Sequence, residues 1–165
     1  RSRREEQPWA RGCHERRIDR PLGGRRPRRR PLSPDLSALF EAAGAARARA
    51  HAPYSNFPVG AALRDEHGRI HAGCNVENAA YPVGTCAEAG AIAAMVAAGG
   101  RRIAAILVCG DGAGLVTPCG ACRQRIREFA GPDTPIHAAG PGGVARTFTL
   151  AALLPESFGP ATLGE

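Results

Sequence analysis

Pro118-Cys119-Gly120-Ala121-Cys122 places two thiols three residues apart at the start of an expected helix. That spacing puts both sulfurs on one face of the first turn, where free backbone N–H groups and the helix dipole favour thiolates. By itself the pair fits a structural zinc knuckle, a redox couple or no chemistry at all. No thioredoxin-like pattern surrounds it, and no second C-x-x-C completes a zinc ribbon. Thr85-Cys86-Ala87-Glu88 opens another expected helix. A third sulfur there would make a three-thiolate site and leave the fourth tetrahedral position to water. Glu88 lies two residues past Cys86, about 200° around the helix, and can stand beside that position as a proton carrier. The plain alternative for Glu88 is a favourable charge in a first helical turn. Asn75-Val76-Glu77 is the third feature: two residues apart on a strand, an amide and a carboxylate point to one face and can grip neighbouring hydroxyls. A polar pair at a strand edge is also ordinary surface.

These residues need elements to hold them. Ser33-Pro34-Asp35 reads as a helix cap with proline in the first turn, and an alanine-rich run continues to about Ala50. His51 to Pro58 breaks it. Val59–Leu63 and Ile70–Val76 are expected strands joined by the turn Arg64–Arg69. Cys86–Ala98 is an apolar, buried helix, and Ile103–Cys109 is a continuous apolar strand covered on both faces. After a glycine-rich loop at Asp111–Thr117 come a helix at Cys119–Phe129, strands at Pro135–Ala139 and Arg146–Leu150, and a short terminal helix. A hairpin followed by strand and helix alternation predicts an α/β fold, one mixed five-stranded sheet in a three-layer α/β/α sandwich.

The chain has 165 residues and a net charge of +7, with 22 arginines and no lysine. Twelve of those arginines fall within Arg1–Arg30 against four acids, a local +8, whereas Asp35–Glu165 comes to −1. The first 31 residues are rich in arginine and proline and poor in apolar groups, so residues 1–32 are expected to be a disordered tail and 33–165 a single catalytic domain. A solvated tail or a nucleic-acid-binding arm would both suit that composition. No apolar run long enough for a membrane span occurs, and no apolar core follows the N-terminal arginines as in a secretory leader. Of six cysteines, three are placed like metal ligands and the set does not read as a disulfide framework, which points to a reducing, cytoplasmic compartment. Cys74 and Cys109 read as small buried hydrophobes, Cys13 has no evident partner, and the histidines form no site.

Cys86-Ala87-Glu88 with Pro118-Cys119-x-x-Cys122 resembles the zinc-dependent deaminases. The closer resemblance is to the small homotetrameric cytidine deaminases, over about Pro53–Pro160. Pro53-Tyr54-Ser55-Asn56-Phe57-Pro58-Val59-Gly60-Ala61-Ala62, Gly73-Cys74-Asn75-Val76-Glu77-Asn78, Thr117 to Gln124, and Leu153-Leu154-Pro155-Glu156-Ser157-Phe158-Gly159-Pro160 all match in order. The resemblance implies one zinc ion per subunit on Cys86, Cys119 and Cys122, and Glu88 as the catalytic proton shuttle. It implies hydrolytic deamination of cytidine and 2′-deoxycytidine to uridine and 2′-deoxyuridine with release of ammonia, in pyrimidine salvage. Asn75 and Glu77 would hold the ribose 3′-hydroxyl, Phe57 would lie against the pyrimidine, and the Ala87 N–H would bind its carbonyl. Ala79, Tyr81 and Phe158 would reach a neighbouring subunit's site.

In this family an arginine often follows the glutamate; here Ala89 and then Gly90 stand there. Zinc with three thiolates carries one net negative charge, and helix N-termini at both cysteine motifs can compensate part of it. Arg123 is a further candidate. Two other readings compete: a deaminase of a different cytosine compound such as an aminoacylnucleoside antibiotic, and a nucleic-acid-binding protein with structural zinc. Asn75-Val76-Glu77-Asn78 favours free nucleosides over the first. Relatives acting on polymers tend to have histidine at the position of Cys86, which speaks against the second.

Overall fold

The computed structural model describes residues 32–112 and 114–164. The expectation of a disordered tail at 1–32 falls almost wholly outside them. Helix α1 (Pro34–Arg47) starts where the sequence places it, with the Ser33 hydroxyl accepting from the Leu36 N–H and proline in the first turn. Strands β1 (Val59–Asp65) and β2 (Ile70–Cys74) form the hairpin. Helix α2 (Ala87–Ala97), strand β3 (Ile103–Gly110) and helix α3 (Gly120–Phe129) follow. Strands β4 (Pro135–Gly140) and β5 (Gly143–Thr149) and a short α4 (Leu150–Leu153) complete the domain. Single 3₁₀ turns lie at Tyr81–Val83 and Pro160–Leu163.

The strand order is β2-β1-β3-β4-β5, with β3–β4 parallel and the other pairs antiparallel. The sheet is therefore mixed and five-stranded, as expected. Alternation along the strands sends side chains to two cores. Ala61, Leu63, Ile106, Val108 and Ile136 pack with Ala91, Met95 and Ile126 of α2 and α3. Ala62, Leu107, Cys109 and Ala139 face the other way, against Leu39 and Ala43 of α1. Both faces of β3 are covered, which is why its sequence is apolar without interruption.

β1 runs on to Asp65, two residues past expectation, and two other strand boundaries shift for visible reasons. β2 stops at Cys74, because the Asn75 side chain takes over the next rung: its Oδ1 accepts from Val59 N–H at 2.8 Å. Asn75–Glu77 remains extended, with Val76 bridging His51 on one side and Thr85 on the other. β5 begins at Gly143, three residues before the expected Arg146, since a tight turn with Gly143 at φ 113° lets pairing start at once.

Cys109 is buried as anticipated, and Cys74 is half-buried. The histidines hold a surprise at the far end of the hairpin. Asp65 is buried, its oxygens accepting from the amides of His67 and Arg69 (both 2.9 Å) and from Arg69 Nε (2.7 Å), with His71 Nε2 at 2.9 Å. Burial alone would raise its pKa, yet the hydrogen bonds from His71 and Arg69 hold the carboxyl well below the usual carboxylate range. A depressed carboxyl contributes stability above its unfolded pKa of about 4, and that contribution is lost as pH falls through the folded value. Asp65→Asn is therefore expected to lower the urea midpoint at pH 7, with the deficit shrinking below about pH 4. A deficit that stays constant down to pH 2 would show that the charge is not what matters.

Candidate functional site

Two helix N-termini converge on the chemistry. Cys86 caps α2 and Cys119 caps α3, both in extended backbone, and Cys122 sits buried in the first turn of α3. The three sulfurs all lie within 4.8 Å of one another. Tetrahedral zinc with Zn–S bonds near 2.3 Å sets sulfurs about 3.8 Å apart, so small side-chain adjustments suffice for the three to share an ion. Soft thiolates suit zinc better than hard cations.

The electrostatics agree. Burial pushes the Cys86 and Cys122 thiols up, and the charge of Glu88 and of neighbouring thiolates adds to this. Burial opposes ionisation of Cys119 as well, but the Cys122 amide and the adjacent thiols outweigh it and hold Cys119 below the usual range. Three crowded thiolates repel each other, and a divalent cation removes that repulsion.

Glu88 is 4% exposed, and its charge adds to what raises the Cys122 thiol. Ala87 is likewise buried, with its amide at the start of α2. The seat of this helix depends on Gly73: a Cβ there would meet Ala91 N at 2.4 Å and Ala87 O at 2.6 Å. Only glycine lets α2 settle onto β2 at this spacing, and that contact brings Glu88 to the sulfurs.

A cavity of about 470 Å³ opens beside Cys86, lined by Tyr54, Ser55, Asn75, Glu77 and Tyr81 among others. That volume is in the range of small-molecule sites. Asn75 and Glu77 come together at the cavity, and they build its wall. Asn75 Nδ2 donates to Phe57 O at 3.0 Å, and Glu77 Oε2 accepts from the amides of Tyr54 (2.9 Å) and Ser55 (3.2 Å). The Ser55 hydroxyl and these amides, working against burial, keep the Glu77 carboxyl below the usual range, an ionised acceptor.

Phe57 stands partly exposed near Gly112, outside that lining. Ala79 is exposed, and Tyr81 rests its ring 5.9 Å from that of Tyr54 on this chain's own cavity. Phe158 is 59% exposed. Sequence reasoning assigned no role to Tyr54 and Ser55, although both lie in the motif that named Phe57. Arg123 is now placed as well. Its guanidinium donates to Pro118 O (2.8 Å), Leu153 O (2.8 Å) and Thr117 Oγ1 (3.1 Å), bracing the loop that carries Cys119.

Residues 34–138 match the family model described as the cytidine and deoxycytidylate deaminase zinc-binding region. The chain belongs to the cytidine and deoxycytidylate deaminase family. A cytidine deaminase of Sporosarcina psychrophila is 44% identical over 124 residues, covering 75% of this chain and 91% of that protein. One from Mycobacterium tuberculosis is 42% identical over 126 residues, 76% and 90% of the two chains. The crystal structure of the Burkholderia pseudomallei cytidine deaminase superposes with a TM-score of 0.69 at 47% identity, over 74% of this chain and 98% of that one. The sheet and helices of this chain are thus the deaminase fold, and zinc is the metal of this deaminase domain. The cluster of three sulfurs is the only such donor group among the described residues.

Proposed function

We propose that this chain hydrolyses cytidine and 2′-deoxycytidine to uridine and 2′-deoxyuridine, releasing ammonia, as a step of pyrimidine salvage in the cytoplasm. The observation that carries the reading is the meeting of three sulfurs at two helix N-termini with a buried carboxylate, next to a cavity walled by Asn75 and Glu77.

Cys86, Cys119 and Cys122 would hold one zinc ion per subunit, whose Lewis acidity makes water nucleophilic near neutral pH. Glu88 takes one proton of the attacking water and passes it to N3 of the pyrimidine; as the C4–N bond breaks it takes the second proton from the new C4 hydroxyl and delivers it to the departing amine. The amide of Ala87 binds the ring carbonyl from the positive end of α2. Asn75 and Glu77 grip the ribose 3′-hydroxyl. An ionised Glu77 accepts a hydrogen bond from that hydroxyl and repels a 3′-phosphate. The near-neutral charge of Asp35–Glu165 suits an uncharged nucleoside.

The site is completed in a homotetramer. Large apolar side chains stand exposed on and around the cavity rim, among them Tyr54, Tyr81 and Val83, and Phe158 is exposed likewise. Phe57 lies against the base, while Ala79, Phe158 and, from the rim of its own cavity, the exposed Tyr81 extend toward a neighbouring subunit's site. No helix among the described residues is long and apolar enough to cross a membrane.

The deciding experiment follows the ultraviolet absorbance of cytidine and of deoxycytidine with the zinc-loaded protein, before and after chelation. Conversion of both, lost with the metal and restored by zinc, is expected. Conversion of neither nucleoside by metal-replete protein would overturn the reading.

A further inference from the structure

Helix α3 does more than carry two of the sulfurs. One turn further on, its side chains reach across to the irregular segment that follows α4. Gln124 Nε2 donates to Phe158 O at 3.0 Å, and Arg127 Nε donates to Ser157 Oγ at 3.1 Å. Gln124 and Arg127 are three residues apart and so share one face of the helix. Gly159 is buried against the same guanidinium: a Cβ on it would stand 2.6 Å from Arg127 Nη2 and 2.7 Å from Cζ. Arg123 holds the start of the segment through Leu153 O. Residues 154–159 have no helix or strand of their own, and Glu156 takes a left-handed φ of 48°. Side chains of α3 therefore do for this segment what a backbone ladder does elsewhere.

We propose that Arg127, with Gln124, is a positioning residue that locks the 157–159 strap and so sets where the Phe158 ring is presented. The lock rests on the reading above in which Phe158 serves a neighbouring subunit's cavity. An aromatic ring on an unanchored segment must be ordered each time substrate binds, and that cost weakens binding. With the strap preorganised, the ordering cost is met on folding. Residues 127, 157 and 159 contribute no group to the metal or the proton transfer, so the lock acts on substrate affinity and not on chemistry. It also makes α3 a shared part: its first turn serves its own subunit's metal, and its second turn serves the next subunit's substrate.

The test measures KM and kcat on cytidine for Arg127→Ala, Ser157→Ala and Gly159→Ala. Gly159→Ala pushes the guanidinium off Ser157 without altering α3, and keeps the lock testable if Arg127→Ala does not fold. KM is expected to rise about fivefold in each, the effect of one lost hydrogen bond, with kcat within about twofold and zinc content unchanged. Parental KM in all three overturns the lock. Arg127→Ala chains are then co-assembled with Glu88→Gln chains, whose straps are intact. Mixed assemblies are expected to show a population of sites with parental KM, since an active cavity would receive Phe158 from its Glu88→Gln neighbour. Mixed assemblies that keep the raised KM overturn the crossing between subunits, while the lock within one chain stands.

Discussion

Replacing Glu88 by glutamine is expected to leave a folded, zinc-loaded protein that has lost about 10⁴-fold in kcat, the upper end of what one positioned acid–base group contributes. The upper end applies because the same carboxyl would handle the proton from water, the proton to N3 and the proton to the leaving amine. Glutamine keeps the size and the planar end group but cannot take up or release a proton. Glu88 is 4% exposed, so the substitution removes a buried carboxylate and introduces no new buried charge. The thermal midpoint should accordingly stay within a few degrees, which separates lost chemistry from lost fold. Zinc content by atomic absorption, Tm and kcat measured together check this. A variant that retains activity within tenfold would remove Glu88 from the mechanism.

The second large effect concerns the sulfurs. Cys122→Ser is expected to abolish zinc retention through gel filtration in a mild chelator and to take activity below detection. Cys122 is fully buried in α3, so its sulfur cannot be replaced by a residue swinging in from the surface. A zinc ion bound at a thousandfold over its Kd stabilises the folded state by about 4 kcal/mol, and its loss lowers Tm by on the order of 10 °C. Chelation of the parent protein should reproduce the drop, whereas chelation of Cys122→Ser should change its Tm little. A Cys122→Ser protein that still holds one zinc per chain would show that the ion sits elsewhere.

The parts of this molecule that were legible in the sequence are those that short-range physics decides. Ser33-Pro34-Asp35 starts α1 because a hydroxyl and a proline act within one turn. Cys119 and Cys122 share a helix face by their spacing alone, and the apolar run of β3 announces a strand covered on both sides. Where side chains replaced backbone partners, the same reasoning stopped short. β2 ends at Cys74 because the Asn75 amide bonds Val59, a contact over 16 residues that no periodicity encodes.

The two cysteine motifs and the Asn75–Glu77 pair named the candidate site by residue type, and resemblance gave them roles. Only the tertiary structure brings Cys86 to Cys119 and Cys122, since the order β2-β1-β3-β4-β5 and the glycine seat at Gly73 set how α2 and α3 meet. The bond from Gln124 to Phe158 spans 34 residues, and that from Arg127 to Ser157 spans 30. Asp65, Arg69 and His71 lie close in sequence, yet Gly100 packs over the Asp65 carboxylate from far along the chain, where a Cβ would stand 3.1 Å from Oδ2. Local propensity and spacing act over a few residues and determine which elements form. Hydrogen bonds between distant side chains depend on how those elements pack, and that is decided in three dimensions.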